Sequence, residues 1–320
     1  MSVNTPVLYL VFNRPDATRQ SFAAIREAKP KHLYVAADGP RAHKPGEAAL
    51  CEEVRKIATN IDWDCELHTL FREQNLGCGL GVSGGINWFF ENVEQGIIIE
   101  DDCIVDQSFF PYCEELLEKY KDNTEVMHIG GNNFITKDFS DGESYYFIKY
   151  FTVWGWATWR RAWKLYDIEM HMLDDFLNSG KLEENTLNAK HAEYWREIFE
   201  ATRSKKIDTW DYQWVLTCWY YSSYAIMPVL NLVTNVGFGE DATHTRAENK
   251  ASYMTLHTLE KVVHPARIAR NRKADMLTYT TYFDVPQHLN IARNVLYKVL
   301  PTSAMMQLRK IRRKFFPGIK

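Results

Sequence analysis

Three carboxylates, Glu100, Asp101 and Asp102, stand side by side directly after the β-branched run Ile97-Ile98-Ile99. Adjacent like charges repel and are more comfortable with a cation among them. Hard oxygen ligands at a strand end suit Mg²⁺ or Mn²⁺ shared with a substrate phosphate. As a Lewis acid, such a metal neutralises the charge that develops on a departing nucleoside diphosphate. A fourth carboxylate, Asp211, lies in Trp210-Asp211-Tyr212-Gln213-Trp214. Partial burial between two tryptophans would raise its pKa and suit it to take a hydroxyl proton as general base. Each feature has a plain alternative: a solvated acidic turn, and a helix N-terminal Asp that interacts with the helix dipole.

The elements that would position these groups alternate along the first 130 residues. Val7–Phe12 is a short, continuously apolar run and reads as a strand buried on both faces. A helix follows over Asp16–Ala28 and is stopped by Pro30. His32–Ala37, Cys65–Phe71, Gly96–Ile99 and Val126–Ile129 read as further strands. Glu47–Ile57, Gly81–Val93 and Ser108–Lys121 read as helices, the last with Ser108 as N-cap. Strands and helices in alternation predict a mixed, mostly parallel sheet flanked by helices. Ligands of open α/β sheets bind beyond the carboxyl ends of the strands. Four consecutive strand ends carry Asn13-Arg14, Asp38-Gly39, Arg72 and the acidic triplet. They read as one polar site, although strand-to-helix loops are polar in any case.

In this order the motifs resemble the GT-A fold glycosyltransferases, in particular the N-acetylglucosaminyltransferase I family. The segment from Glu100 through Phe109-Phe110-Pro111-Tyr112 resembles that family's metal-binding stretch. Asn13-Arg14-Pro15, Asp38-Gly39, Trp154-Gly155-Trp156, Trp210–Trp214 and Asn235–Thr245 resemble its other motifs, so the likeness covers residues 5 to about 246. The resemblance implies a metal-dependent transfer of sugar from a nucleotide (UDP) sugar to a glycan hydroxyl, with inversion and Asp211 as base. It implies Asp102 as ligand of Mn²⁺ or Mg²⁺, with His244 on the metal or the diphosphate. Asp101 would contact the donor's ribose or sugar, Glu100 would support the donor site, Arg14 would face the diphosphate and Asp38 would hydrogen-bond the uracil. Arg72 and Trp156 join the donor-binding set. Two departures stand out. One Asp precedes Tyr212 where the family has two, and Gly77–Gly85 holds five glycines where the family has basic and aromatic residues. The alternative for His244 is a solvated side chain on a surface loop.

Eight of the ten tryptophans fall between 154 and 219. Trp159, Trp163, Trp195 and Trp219 read as core; Trp154, Trp156, Trp210 and Trp214 read as a wall for the acceptor. Two competing classes remain. A sugar-phosphate nucleotidyltransferase would need a glycine-rich loop after the first strand, where this chain has Asn13-Arg14-Pro15-Asp16. A carbohydrate-binding protein on a degenerate transferase fold would not need the intact carboxylates. A Rossmann dehydrogenase is disfavoured, since no Gly-x-Gly-x-x-Gly follows the first strand.

Composition frames these readings. The 320 residues are 46% hydrophobic and 25% charged, an ordinary globular balance. The net charge of −3 suggests no nucleic-acid partner but hides an asymmetry. Residues 261–320 hold 13 Lys/Arg against 2 Asp, a net of +11, and residues 1–260 the remaining 25 Lys/Arg against 39 Asp/Glu, a net of −14. Six scattered cysteines and a first apolar run of only six residues fit a cytoplasmic protein. The expected organisation is a catalytic domain over 1–250, with a nucleotide-sugar half over 1–130 and an acceptor half over 131–250. A basic, helical extension over 251–320 follows. Its residues 290–320 mix cations with Leu, Ile and Phe and fit docking on the inner face of an anionic membrane, where a lipid-linked glycan acceptor would be met. A solvated tail is the alternative.

Overall fold

The computed structural model describes residues 3–135, 138–237 and 254–283. The chain packs as two units, residues 1–276 and 277–320. In the second, the described residues run from Leu277 through a π-helical turn at Tyr279–Phe283.

The first unit is built on an eight-stranded sheet. Its strands are β1 (Val7–Val11), β2 (His32–Ala37), β3 (Glu66–Phe71), β4 (Gln95–Glu100), β6 (Val126–Gly130), β7 (Tyr145–Ile148), β8 (Trp156–Trp159) and β9 (Tyr224–Pro228). Their order is β3-β2-β1-β4-β8-β6-β9-β7. Pairing is parallel from β3 through β4 and between β6 and β9, and antiparallel elsewhere, so the sheet is mixed and mostly parallel. A two-stranded ribbon pairs β5 (Cys103–Val105) with β10 (Val233–Asn235). Because β8 inserts between β4 and β6, residues on both sides of position 130 share one sheet.

Helices cover both faces. Alternate residues of the strands, among them Val7, Tyr9, Val11, Ile97, Ile99 and Ile129, share a core with Phe22 and Ile25 of α1 (Pro15–Ala28), Val54 of α2 (Glu47–Ala58) and Leu116 of α4 (Phe109–Lys119). The intervening residues meet α3 (Gly77–Asn92), α5 (Arg160–Trp163) and α9 (Asp211–Tyr220), as Tyr34 does with Phe89 and Trp156 with Trp163 and Trp214. This two-sided burial is why β1 and β4 read as unbroken apolar runs. Short helices α6 (Leu173–Asn178) and α7 (Lys181–Asn185), the longer α8 (Ala189–Arg203) and the late α10 (Arg272–Thr278) complete the described structure.

Ser108 precedes α4 as expected but makes no side-chain cap bond to it. Its hydroxyl donates to Asp106 Oδ1 at 2.5 Å, and Asp106 also accepts the Ser108 N–H. None of the described helices is long and apolar enough to cross a membrane.

The α9 face encloses a buried histidine. Trp214 Nε1–H donates to His128 Nδ1 at 3.2 Å, which leaves Nε2–H to donate to the Thr152 carbonyl at 2.9 Å. Burial lowers the His128 pKa to about 3. Above the ordinary value near 6.5 the ring is neutral folded or unfolded. Below it, the unfolded chain takes up a proton that the native state refuses. Stability should therefore fall by about 1.4 kcal/mol per pH unit from about pH 6.5 toward 3 on this account alone. Urea titrations across that range check the slope, which His128→Gln should reduce by that amount; an unchanged slope would count against the buried neutral ring.

Candidate functional site

Register aligns four strand ends. Val11 pairs with Ala37, Ala37 with Phe71 and Leu10 with Glu100. Arg72, Asp38, Asn13-Arg14 and Glu100-Asp101-Asp102 therefore lie along one carboxyl edge of the sheet. Adjacency then decides which of them meet. β1 lies beside β4, so Arg14 reaches the triplet. Its Nη1–H donates to Asp102 Oδ2 at 2.8 Å and its Nη2–H to Asp101 Oδ1. The Phe12 N–H donates to Asp101 Oδ2 at 3.1 Å, and Ser21 Oγ to the Asp101 carbonyl at 2.8 Å. A guanidinium thus relieves the repulsion in the triplet. Burial opposes the charge on Arg14, but Asp101 and Asp102 outweigh it and hold the group firmly ionised.

Glu100 belongs to the other face of β4, the face shared with Ile98, α3 and α9. Burial first, and the Asp102 charge second, push its carboxyl well above the usual range. Asp211 is among the charges that act on it. Asp211 is half-buried at the start of α9. Its Oδ1 accepts from the Thr209 hydroxyl and from the Tyr212 N–H at 2.9 Å. Arg14, Glu100, Asp102 and Asp211 therefore form one electrostatic centre, with the half-buried Cys78 thiol beside it.

Asp38 and Arg72 lie on strands further from β4 and are engaged elsewhere. The Asp38 carboxylate accepts from Gly39 N–H at 3.0 Å, Asn75 Nδ2–H at 3.0 Å and Leu76 N–H at 2.9 Å. Burial, opposed by these donors, raises its pKa above the ordinary value. Arg72 Nη1–H donates to the Gly81 carbonyl at 3.0 Å. Both side chains run along the start of α3, which begins at Gly77 rather than at Gly81 as the sequence suggested. Close approach explains the glycines there. A Cβ on Gly81 would lie 3.0 Å from Asp38 Oδ2, and one on Gly84 2.6 Å from Arg72 Nη2.

The expected aromatic wall is corrected. Trp156 and Trp214 are fully buried and Trp210 nearly so. Trp156 stacks between His128, with centroids 5.0 Å apart, and Trp210, at 5.6 Å. Their flat faces are used by one another, so they present no open surface to a sugar. Trp154 is half-buried, edge-on to Phe134. Trp159, Trp163, Trp195 and Trp219 are buried as expected. His244 and residues 290–320 lie outside the described residues.

Among the described residues no group of three His, Cys, Asp or Glu side chains is placed to hold a metal ion. Asp102 nevertheless suits one held mainly by substrate. Its side chain is 13% exposed, and Oδ1 has the Cys103 thiol at 3.5 Å as its hydrogen-bond partner. A hard oxygen so placed fits a divalent cation bound through one carboxylate and substrate phosphates.

No protein-family model matches the chain, and no curated protein does. Solved structures show remote similarity. HddC from Yersinia pseudotuberculosis aligns at 9% identity over 40% of this chain and 58% of its own, with a TM-score of 0.27. The chain thus spans little more than half of that protein. A UDP-glucose pyrophosphorylase complexed with UDP-glucose aligns at 10% identity over 51% of this chain and 78% of its own, with a TM-score of 0.31. Mouse xyloside xylosyltransferase 1 aligns at 10% identity over 68% of this chain and 81% of its own, with a TM-score of 0.33.

Proposed function

We propose that the chain is a nucleotide-sugar-dependent glycosyltransferase that moves a sugar from a UDP-sugar to a glycan hydroxyl with inversion. The observation that carries this reading is the gathering of Arg14, Glu100, Asp102 and Asp211 around one sheet edge. Arg14 provides a permanent positive charge for the donor diphosphate. Asp102 would hold Mn²⁺ or Mg²⁺, which when bound stabilises the negative charge on the leaving group. Asp211 is the base. Its Oδ1 is taken by Thr209 and Tyr212, and Oδ2 takes the acceptor proton. Glu100, whose pKa burial and the Asp102 charge raise, would support the donor side of the site. The β1–α1 turn also speaks against nucleotidyl transfer. Pro15 opens α1 directly after Arg14, so no glycine-rich phosphate loop intervenes.

The test is Mn²⁺-dependent release of UDP from a panel of UDP-sugars with glycan acceptors. Asp102→Ala should lower it at least about 100-fold, the scale of several kcal/mol of lost charge stabilisation. Nucleotide binding and turnover that ignore both metal and Asp102 would sink the reading.

A further inference from the structure

The first N–H groups of a helix have no partner within it. In α3 they are taken by carboxylates from two distant parts of the chain. Asp38, just past the end of β2, accepts from the Leu76 N–H at 2.9 Å. Asp208, 130 positions from Cys78, accepts the Cys78 N–H at 3.0 Å on Oδ2 and the Gly79 N–H at 2.9 Å on Oδ1. This approach requires glycine on the helix. A Cβ on Gly77, whose φ is +82°, would lie 2.6 Å from Asp208 Oδ2. A Cβ on Gly79 would lie 2.9 Å from Asp208 Oδ1 and 3.0 Å from the Thr209 carbonyl.

Asp208 stands three residues before Asp211, and the intervening backbone is fastened. The Thr209 hydroxyl donates to Asp211 Oδ1, and its carbonyl accepts from Gln213 Nε2–H at 2.7 Å. The Trp210 carbonyl accepts from the Tyr166 hydroxyl at 3.1 Å. We propose that Asp208 is a positioning residue: by capping α3 it sets where Thr209-Trp210-Asp211 stands relative to Glu100 and Asp102. The inference rests on Asp211 acting as the base. Each Asp208 oxygen receives one N–H, so both are needed to fix the segment. An asparagine offers one acceptor oxygen and turns an amide N–H₂ against the other backbone N–H. The Thr209 hydroxyl, and with it the Asp211 carboxylate, then loses its fixed position.

The full chain is assayed, wild type first. Asp208→Asn should lower kcat about 10- to 100-fold, the scale of a small misplacement of a catalytic group, with donor KM unchanged within about twofold. Amide exchange at residues 77–80 and 211–213 should quicken together. Gly79→Ala, which presses on the same carboxylate from the helix side, should reproduce the loss in kcat. Unchanged kcat, or an apparent kcat that falls only in proportion to the loss of folded protein, overturns the proposal. If wild type transfers no sugar, the functional reading fails while the clamp stays testable. Unchanged exchange at 211–213 in Asp208→Asn then overturns it.

Discussion

Asp211→Asn should lower sugar transfer by about 10²- to 10⁴-fold, the usual contribution of a general base. The nucleotide Kd and the thermal midpoint should stay near wild type. The reason is local. An asparagine Oδ1 still accepts from the Thr209 hydroxyl and from the Tyr212 N–H, so the start of α9 is kept. What disappears is the second oxygen, the one that takes the acceptor proton. A pure chemical defect should appear as a fall in kcat with little change in donor KM. Steady-state kinetics and nucleotide titration on the same preparation separate the outcomes. Near-normal transfer would remove Asp211 from the chemistry. A parallel loss of nucleotide binding would recast it as a donor ligand.

The largest effect on stability belongs to a neighbouring carboxylate. Asp101→Ala should cost about 3 kcal/mol, at the low end of the range for breaking a buried ion pair by removing one partner. The low end is appropriate because Arg14 keeps 23% exposure and can still pair with Asp102. The Asp101 side chain is 3% exposed, and its loss also strands the partly buried Phe12 N–H. Asp102→Ala, at a position that water reaches, leaves the Arg14–Asp101 pair intact and should cost about 1 kcal/mol or less. Urea unfolding at fixed m-value provides the comparison. Equal midpoints for the two variants would contradict a larger structural role for Asp101 than for Asp102.

Much of the frame was legible in the residues. β1, β2 and β4 and their helices follow from apolar runs bounded by polar turns, because strands buried on both faces write a continuous signal. The Arg14 contact with the triplet was not legible. It depends on β1 and β4 being neighbours, which is a matter of sheet order rather than of spacing along the chain. Asp38 is a different case: its carboxylate follows a strand as a ligand group would, and its hydrogen bonds to Asn75 and Leu76, in the segment before α3, could not be read from spacing. Trp156, Trp210 and Trp214 were misread as a wall because a tryptophan at a helix start or strand start has the same local pattern whether its face is open or stacked. Asp208 carried no signal of its own. Its partners are backbone N–H groups, which no residue type advertises, and the one trace was the glycine stripe that makes room for it.

That stripe also bears on how the molecule comes together. Gly77, Gly79, Gly81, Gly84 and Gly85 all lie in α3. Each interior glycine disfavours a helix by up to about 1 kcal/mol relative to alanine, so the segment has little helical tendency alone. Its order is borrowed from Asp38, Arg72 and Asp208. A fragment ending at residue 130 would carry α3 without the Asp208 cap and β4 without its β8 neighbour. The β1–β4 part of the sheet is thus completed only by chain synthesised some 80 residues later, and the cluster of Arg14, Glu100, Asp102 and Asp211 becomes a late, non-local product of folding rather than a preformed module.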